Sequence, residues 1–145
     1  VCLALGWAAW KTYVGRPEGD GTRGSALGIL GRALAESRPE EALPVLEVTL
    51  ALAQRYWSNS EKAILSAQSN VASCLASLGR QDQALVVWRE IYARDVARCG
   101  GVAHEDAIMS GSNLAAALGN LKNWNEMKTL LRELLPAARR SLGSD

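Results

Sequence analysis

The chain has 145 residues, enough for one domain or a short run of repeats, and it is 48% hydrophobic and 21% charged, an ordinary balance for a folded protein. Its net charge of +1 supplies no long-range field, so neither nucleic acid nor an acidic membrane is expected as a partner. Three widely spaced cysteines, Cys2, Cys74 and Cys99, form no CxxC and no Cys/His pair. Zinc is therefore not expected, and the thiols read as buried or bystander groups in a reducing compartment.

Val1–Trp10 is an apolar run of ten residues. A membrane span takes about 20, and the run lacks the basic leader and clean cleavage site of a signal peptide. Residues 1–14 read as an apolar helix from a preceding structural unit. The chain starts at Val1 rather than Met and stops at Asp145 just after a helical pattern, so a fragment of something longer is expected. Residues 15–24, with four glycines and Pro17, read as a linker that stops any helix.

From there the sequence reads as paired helices over 25–145. A first helix is expected over 25–36, weakened by Gly28 and Gly31, and a second from Pro39, whose missing N–H costs little at a helix start. Pro44 predicts a distortion in its first turn. Over 60–78, Ile64, Leu65, Val71, Ala72, Leu75 and Leu78 share one face at 100° per residue, and Gly79 closes the helix. Ala84, Leu85, Trp88, Ile91, Tyr92 and Val96 continue the period until Gly100-Gly101. The third pair, 105–121 and 123–142, sets Leu114, Ala115, Leu118 and Leu121 against Leu130, Leu131, Leu134 and Leu135, with a kink expected at Pro136. No segment alternates with period two.

The turn Ser37-Arg38-Pro39-Glu40-Glu41-Ala42-Leu43 returns as Gly79-Arg80-Gln81-Asp82-Gln83-Ala84-Leu85 and, more loosely, as Lys122-Asn123-Trp124-Asn125-Glu126-Met127. Ala42, Ala84 and Met127 stand 42 and 43 residues apart. A period of about 20–50 residues marks a solenoid, in which no repeat buries its apolar face alone. The chain is thus read as all-α: about three helix pairs (25–60, 61–104, 105–145) after a short N-terminal helix. Ala42 and Ala84 permit close approach to the preceding helix; the larger Met127 predicts repacking there.

Asn70-Val71-Ala72, the Gly79-Arg80 turn, Ala84-Leu85 and the loop Gly100-x-x-x-His104-x-Asp106 resemble tetratricopeptide repeats of the long, kinesin-light-chain type. Asn113-Leu114-Ala115, Leu131-Arg132-Glu133-Leu134-Leu135 and Arg139-Arg140-Ser141-Leu142-Gly143-Ser144-Asp145 match in the third repeat. The first repeat departs: Gly28 or Ile29 stands where the asparagine belongs, and the loop at 58–61 lacks the Gly and His. The resemblance implies a right-handed superhelix whose first helices line a concave groove for peptides or protein segments. It maps the groove asparagine onto Asn70 and Asn113.

Other motifs yield to structural readings. Gly19-Asp20-Gly21-Thr22-Arg23-Gly24 spells GxGxxG but follows Arg16-Pro17-Glu18, not a strand, so no dinucleotide site is expected. His104, with Glu105 and Asp106 beside it, reads as a helix cap. Arg89, Arg94, Arg98, Arg132, Arg139 and Arg140 read as a solvated outer face. No nucleophile, base or metal-ligand motif occurs, so neither enzyme nor cofactor is expected.

One surface carries information. Ser66, Ser69, Asn70, Ser73 and Ser77 lie on one helical face opposite the apolar stripe, and Met109, Ser112, Asn113, Ala116 and Asn120 stand at the equivalent places in the third repeat. A merely solvated face favours Glu, Lys and Arg. Small side chains admit another backbone, and amides hydrogen-bond it. The alternative is a packing face between helices. No Lys or Arg falls on either stripe, so an apolar-anchored segment is expected rather than an acidic tail. The overall expectation is a cytoplasmic peptide- or protein-segment-binding module that self-associates through exposed repeat ends. The alternative is a spacer or regulatory arm of a larger protein without a ligand of its own.

Overall fold

Helix ends in this chain are fixed by a few named groups, and these set the architecture. The computed structural model describes residues 2–141; Val1 and the closing residues 142–145, with their part of the third-repeat motif, lie outside the described residues. Among the described residues there are seven helices and no strand: α1 (Cys2–Tyr13), α2 (Gly21–Ala35), α3 (Pro39–Tyr56), α4 (Glu61–Ser77), α5 (Gln81–Cys99), α6 (Glu105–Asn120) and α7 (Trp124–Ser141). They form two units, one up to Gly79 with α1–α4 and one from Arg80 with α5–α7.

In the first unit α2 packs between α1 and α3, and α3 packs on α4. The glycine-rich stretch is not the linker expected over 15–24, because α2 begins at Gly21. The Asp20 carboxylate accepts from the N–H groups of Thr22 (2.8 Å) and Arg23 (3.2 Å) and from the Thr22 hydroxyl. That satisfies orphan donors of the first turn and offsets the glycines' cost. These hydrogen bonds, chiefly that from the Thr22 hydroxyl, hold the Asp20 pKa at about 2, down from 3.8.

Two glycines of α2 are sites of close packing. A Cβ on Gly24 would stand 1.8 Å from Cη2 of Trp57, and one on Gly31 would stand 2.5 Å from Cδ2 of Leu46. Gly28 and Gly31, read from sequence as weaknesses, thus lie in a helix whose glycine face receives α3. The apolar α1 likewise has a partner in its own unit: a Cβ on Gly6 would meet the Leu30 Cα at 3.1 Å. Its other face stays open, with Leu5 and Trp7 exposed. Pro39 is the first residue of α3, as its sequence position predicts, and its carbonyl accepts from the Cys74 thiol at 3.2 Å. Burial raises the pKa of that thiol, with Glu47 adding to it.

In the second unit α6 packs between α5 and α7. Leu114, Leu118, Leu130, Leu134 and Ala137 are buried, so of the apolar residues of α7 from Leu130 on, Leu135 is the large side chain left exposed among the described residues. A Cβ on Gly111 would stand 2.7 Å from Leu134, and the Met127 sulfur would lie 3.3 Å from one on Gly119. The bulk gained at Met127 is therefore taken up by a glycine on the facing helix. Gly79 has φ 75°, and Lys122, 43 residues later, has φ 58°, so the third copy of the turn keeps the left-handed residue of the second even though glycine is gone, while the first copy, at Ser37, has none. Trp88, 5% exposed, belongs to the core.

Candidate binding cleft

The first unit holds an open cleft of about 360 Å³. α2 contributes Gly24, Ser25, Gly28, Ile29 and Arg32; α3 contributes Thr49, Ala53 and the following Trp57; α4 contributes Ala63, Ser66, Ala67 and Asn70. Gly28 keeps part of the α2 wall free of side-chain bulk: a Cβ there would meet the Thr49 methyl only at 3.6 Å. Trp57, placed by its fit over Gly24 and by an indole N–H donated to the Gly19 carbonyl at 3.4 Å, builds one end. Thr49 turns its hydroxyl back to the Val45 carbonyl at 2.9 Å and so offers its methyl to the cleft. Ile29 is 41% exposed there.

Of the five α4 residues picked from sequence, Ser66 and Asn70 line this cleft. Ser69 is half-buried; Ser73 and Ser77 are exposed, with the Ser77 hydroxyl donating to the Ser73 carbonyl at 3.1 Å. On α6, Ser112, Asn113, Ala116 and Asn120 form an exposed face, and the Ser112 hydroxyl donates to the Ile108 carbonyl at 2.8 Å.

The sequence reading missed what α2 contributes. It placed no basic residue on the stripe, yet Arg32 lines the same cleft, is exposed, and makes no ion pair among the described residues. The missing signal was tertiary: the stripe periodicity belongs to α4, while Arg32 arrives from a helix two elements earlier.

The second unit has its own cleft of about 290 Å³, lined by Arg89, Tyr92, Leu114, Leu118, Glu126, Thr129 and Leu130. Arg89 is not merely solvated, as its position suggested. Its Nε and Nη2 donate to the two oxygens of Glu126 at 3.1 and 2.6 Å, and the Asn123 amide donates to the same carboxylate at 2.7 Å. The Tyr92 hydroxyl is buried with no hydrogen-bond partner among the described residues, and burial, then Glu133, raises its pKa.

His104 is the N-cap of α6, as read from sequence: its Nδ1 accepts from the Asp106 N–H at 3.2 Å. The GxGxxG stretch is a capped helix start whose N–H groups are taken by Asp20, so it offers no phosphate cradle. No described helix is long and apolar enough to cross a membrane.

No family model and no curated protein matches the chain. Two solved structures do, both of nearly identical TPR-like repeats named for a kinesin light chain of Podosopora anserina, one of them a single-substitution variant. The variant aligns with a TM-score of 0.76 at 19% identity, covering 92% of this chain and 63% of that one. The other aligns with a TM-score of 0.75 at 20% identity, covering 96% of this chain and 64% of that one. The chain thus spans less than two thirds of either neighbour, and at this identity the likeness speaks for the fold alone: the described residues are all-helical and have a TPR-like repeat fold.

Proposed function

We propose that the protein is an interaction module that binds a peptide or protein segment in the cleft of its first unit. The observation that carries this reading is the composition of the cleft wall. Gly28, Ala63 and Ala67 leave room for an extended backbone, Ser66 and Asn70 offer hydrogen bonds to it, and Ile29 and Trp57 supply an apolar seat. Ser69, Ser73 and Ser77 continue the same polar face of α4. Ser112, Asn113, Ala116 and Asn120 form a second face of the same kind on α6.

Arg32 alters the expected ligand. One guanidinium at the cleft without an ion pair among the described residues favours a segment that joins an apolar anchor to a carboxylate or a run of carbonyl oxygens. Affinity in the micromolar range, about −8 kcal/mol, is expected, with a shallow salt dependence because one charge is involved. The exposed Leu5 and Trp7 of α1 are the candidate contacts for self-association. Neither a cofactor nor catalysis belongs to this reading.

The test is selection of binding peptides from a random display library. Affinities of the recovered peptides are then remeasured on Asn70→Ala, Arg32→Ala and Asn113→Ala at matched melting temperature. Weaker binding by Asn70→Ala and a flatter salt dependence in Arg32→Ala support the cleft. Parent-like binding by all three sets both faces aside and leaves the spacer or regulatory arm as the reading. Loss in Asn113→Ala alone moves the site to the second unit.

A further inference from the structure

The turn between α5 and α6 gathers three donor groups from the end of one helix and the start of the next. α5 ends at Cys99, and Gly100 and Gly101 take φ values of 73° and 143°, reversing the chain. His104 and Asp106, at the start of α6, then come back beside the end of α5. The Cys99 sulfur, a ring nitrogen of His104 and a carboxylate oxygen of Asp106 all lie within 4.8 Å of one another. The absence of a Cys/His pair, read from spacing, is therefore corrected by the fold.

We propose that Cys99, His104 and Asp106 form a zinc site. Thiolate, imidazole and carboxylate are donors that zinc accepts at about 2.0–2.3 Å in a tetrahedral shell. Donors at those distances stand roughly 3–4 Å apart, so closure asks for a contraction on the order of 1 Å. Cys99 is half-buried and His104 exposed, so side-chain rotation can supply it. On coordination the Cys99 thiol gives its proton to solvent as the S–Zn bond forms. Three protein donors leave the fourth position for water or for a group brought by a partner.

The surroundings suit a divalent cation. Arg98 donates through Nη2 to Asp95 at 2.7 Å and to Asp106 at 2.8 Å. Among these groups two carboxylates face one guanidinium, and a Cys99 thiolate adds a second uncompensated negative charge. A dication balances both. Arg98 also fixes the Asp106 carboxylate from outside, as hydrogen-bonding partners of ligating carboxylates do. The metal competes with one existing contact, the helix cap: His104 Nδ1 cannot both accept the Asp106 N–H and serve a zinc-bound imidazole. At 3.2 Å that cap bond is at the long end of the range, so the imidazole can be exchanged.

The experiment uses the full chain, reduced with a non-thiol reductant, titrated with cobalt(II) as a zinc probe and back-titrated with zinc. Expected are a thiolate-to-cobalt charge-transfer band and tetrahedral d–d bands saturating at one metal per chain, both displaced by zinc. Cys99→Ser should abolish the charge-transfer band, His104→Ala and Asp106→Asn should weaken binding about 10-fold or more, and Cys2→Ser should leave it unchanged. No charge-transfer band, or a band that survives Cys99→Ser, overturns the site. Should Cys99→Ser fail to give the parent's circular dichroism, the exposed His104→Ala decides, and parent-like cobalt affinity there overturns the proposal.

Discussion

The cleft of the first unit carries Arg32 without an ion pair among the described residues, whereas the cleft of the second carries Arg89 clamped by Glu126 at 2.6 Å. The walls differ in the same sense. In the first, α2 and α4 flank α3 and present Gly, Ala, Ser and Asn. In the second, α5 and α7 flank α6 and present leucines under an ion pair braced by Asn123. A cation whose charge is met within the fold contributes to holding two helices together; one left unmet is available to a ligand. One helical period thus yields two clefts of comparable size, and the difference lies in which side chains satisfy each other.

The largest effect expected in sharpening this comparison is in the second unit's core. Trp88→Ala should cost about 3–5 kcal/mol in denaturant unfolding, because the side chain is almost wholly buried; a loss below about 1 kcal/mol would contradict that burial. Next comes the first unit's glycine wall. Gly24→Ala drives a methyl into Trp57 and should cost about 1–3 kcal/mol. In a Trp57→Ala background the same change should become neutral or stabilising, since alanine favours helix over glycine by about 1 kcal/mol. A penalty unchanged by the second substitution would break the account of why α2 is glycine-rich.

A smaller effect should appear in acid at the start of α2. The pKa of Asp20 is depressed in the folded state, so its contribution is complete above its ordinary value of 3.8 and is lost as pH falls toward about 2. The difference in melting temperature between parent and Asp20→Asn should be constant near neutrality and vanish between about pH 4 and about pH 2. A difference that persists below that range would mean that Asp20 acts other than as an ionised cap. The smallest effect belongs to the clamp. Both partners are near half exposed, so a double-mutant cycle on Arg89→Ala and Glu126→Ala should give a coupling of about 0–1 kcal/mol.

Much of the fold is written in local signals: the helical period, Pro39 at the start of α3, Gly79 and Gly100 at helix ends, and His104 as a cap. Each acts within a few residues, where sequence spacing and spatial distance nearly coincide. What escaped was which side chains meet. Gly21 and Gly24 read as a helix stop, yet Asp20 caps the helix through the N–H groups of Thr22 and Arg23, and Trp57 needs the space over Gly24. Arg32 joins Asn70 in one cleft across two intervening turns. Cys99 and His104 meet only because two glycines reverse the chain between them. Ser66 and Asn70 were legible because small and amide residues on an exposed helical face run against helix propensity.

The central claim, that the first unit's cleft receives a segment in contact with α2 and α4, is tested most directly by following backbone amide resonances while a selected peptide is titrated in. The account predicts the largest shifts at Gly28, Ile29, Arg32, Ser66 and Asn70, with the amides of Arg89 and Glu126 unmoved. Shifts concentrated around Arg89, Tyr92 and Glu126, with Ile29 and Asn70 silent, would contradict it.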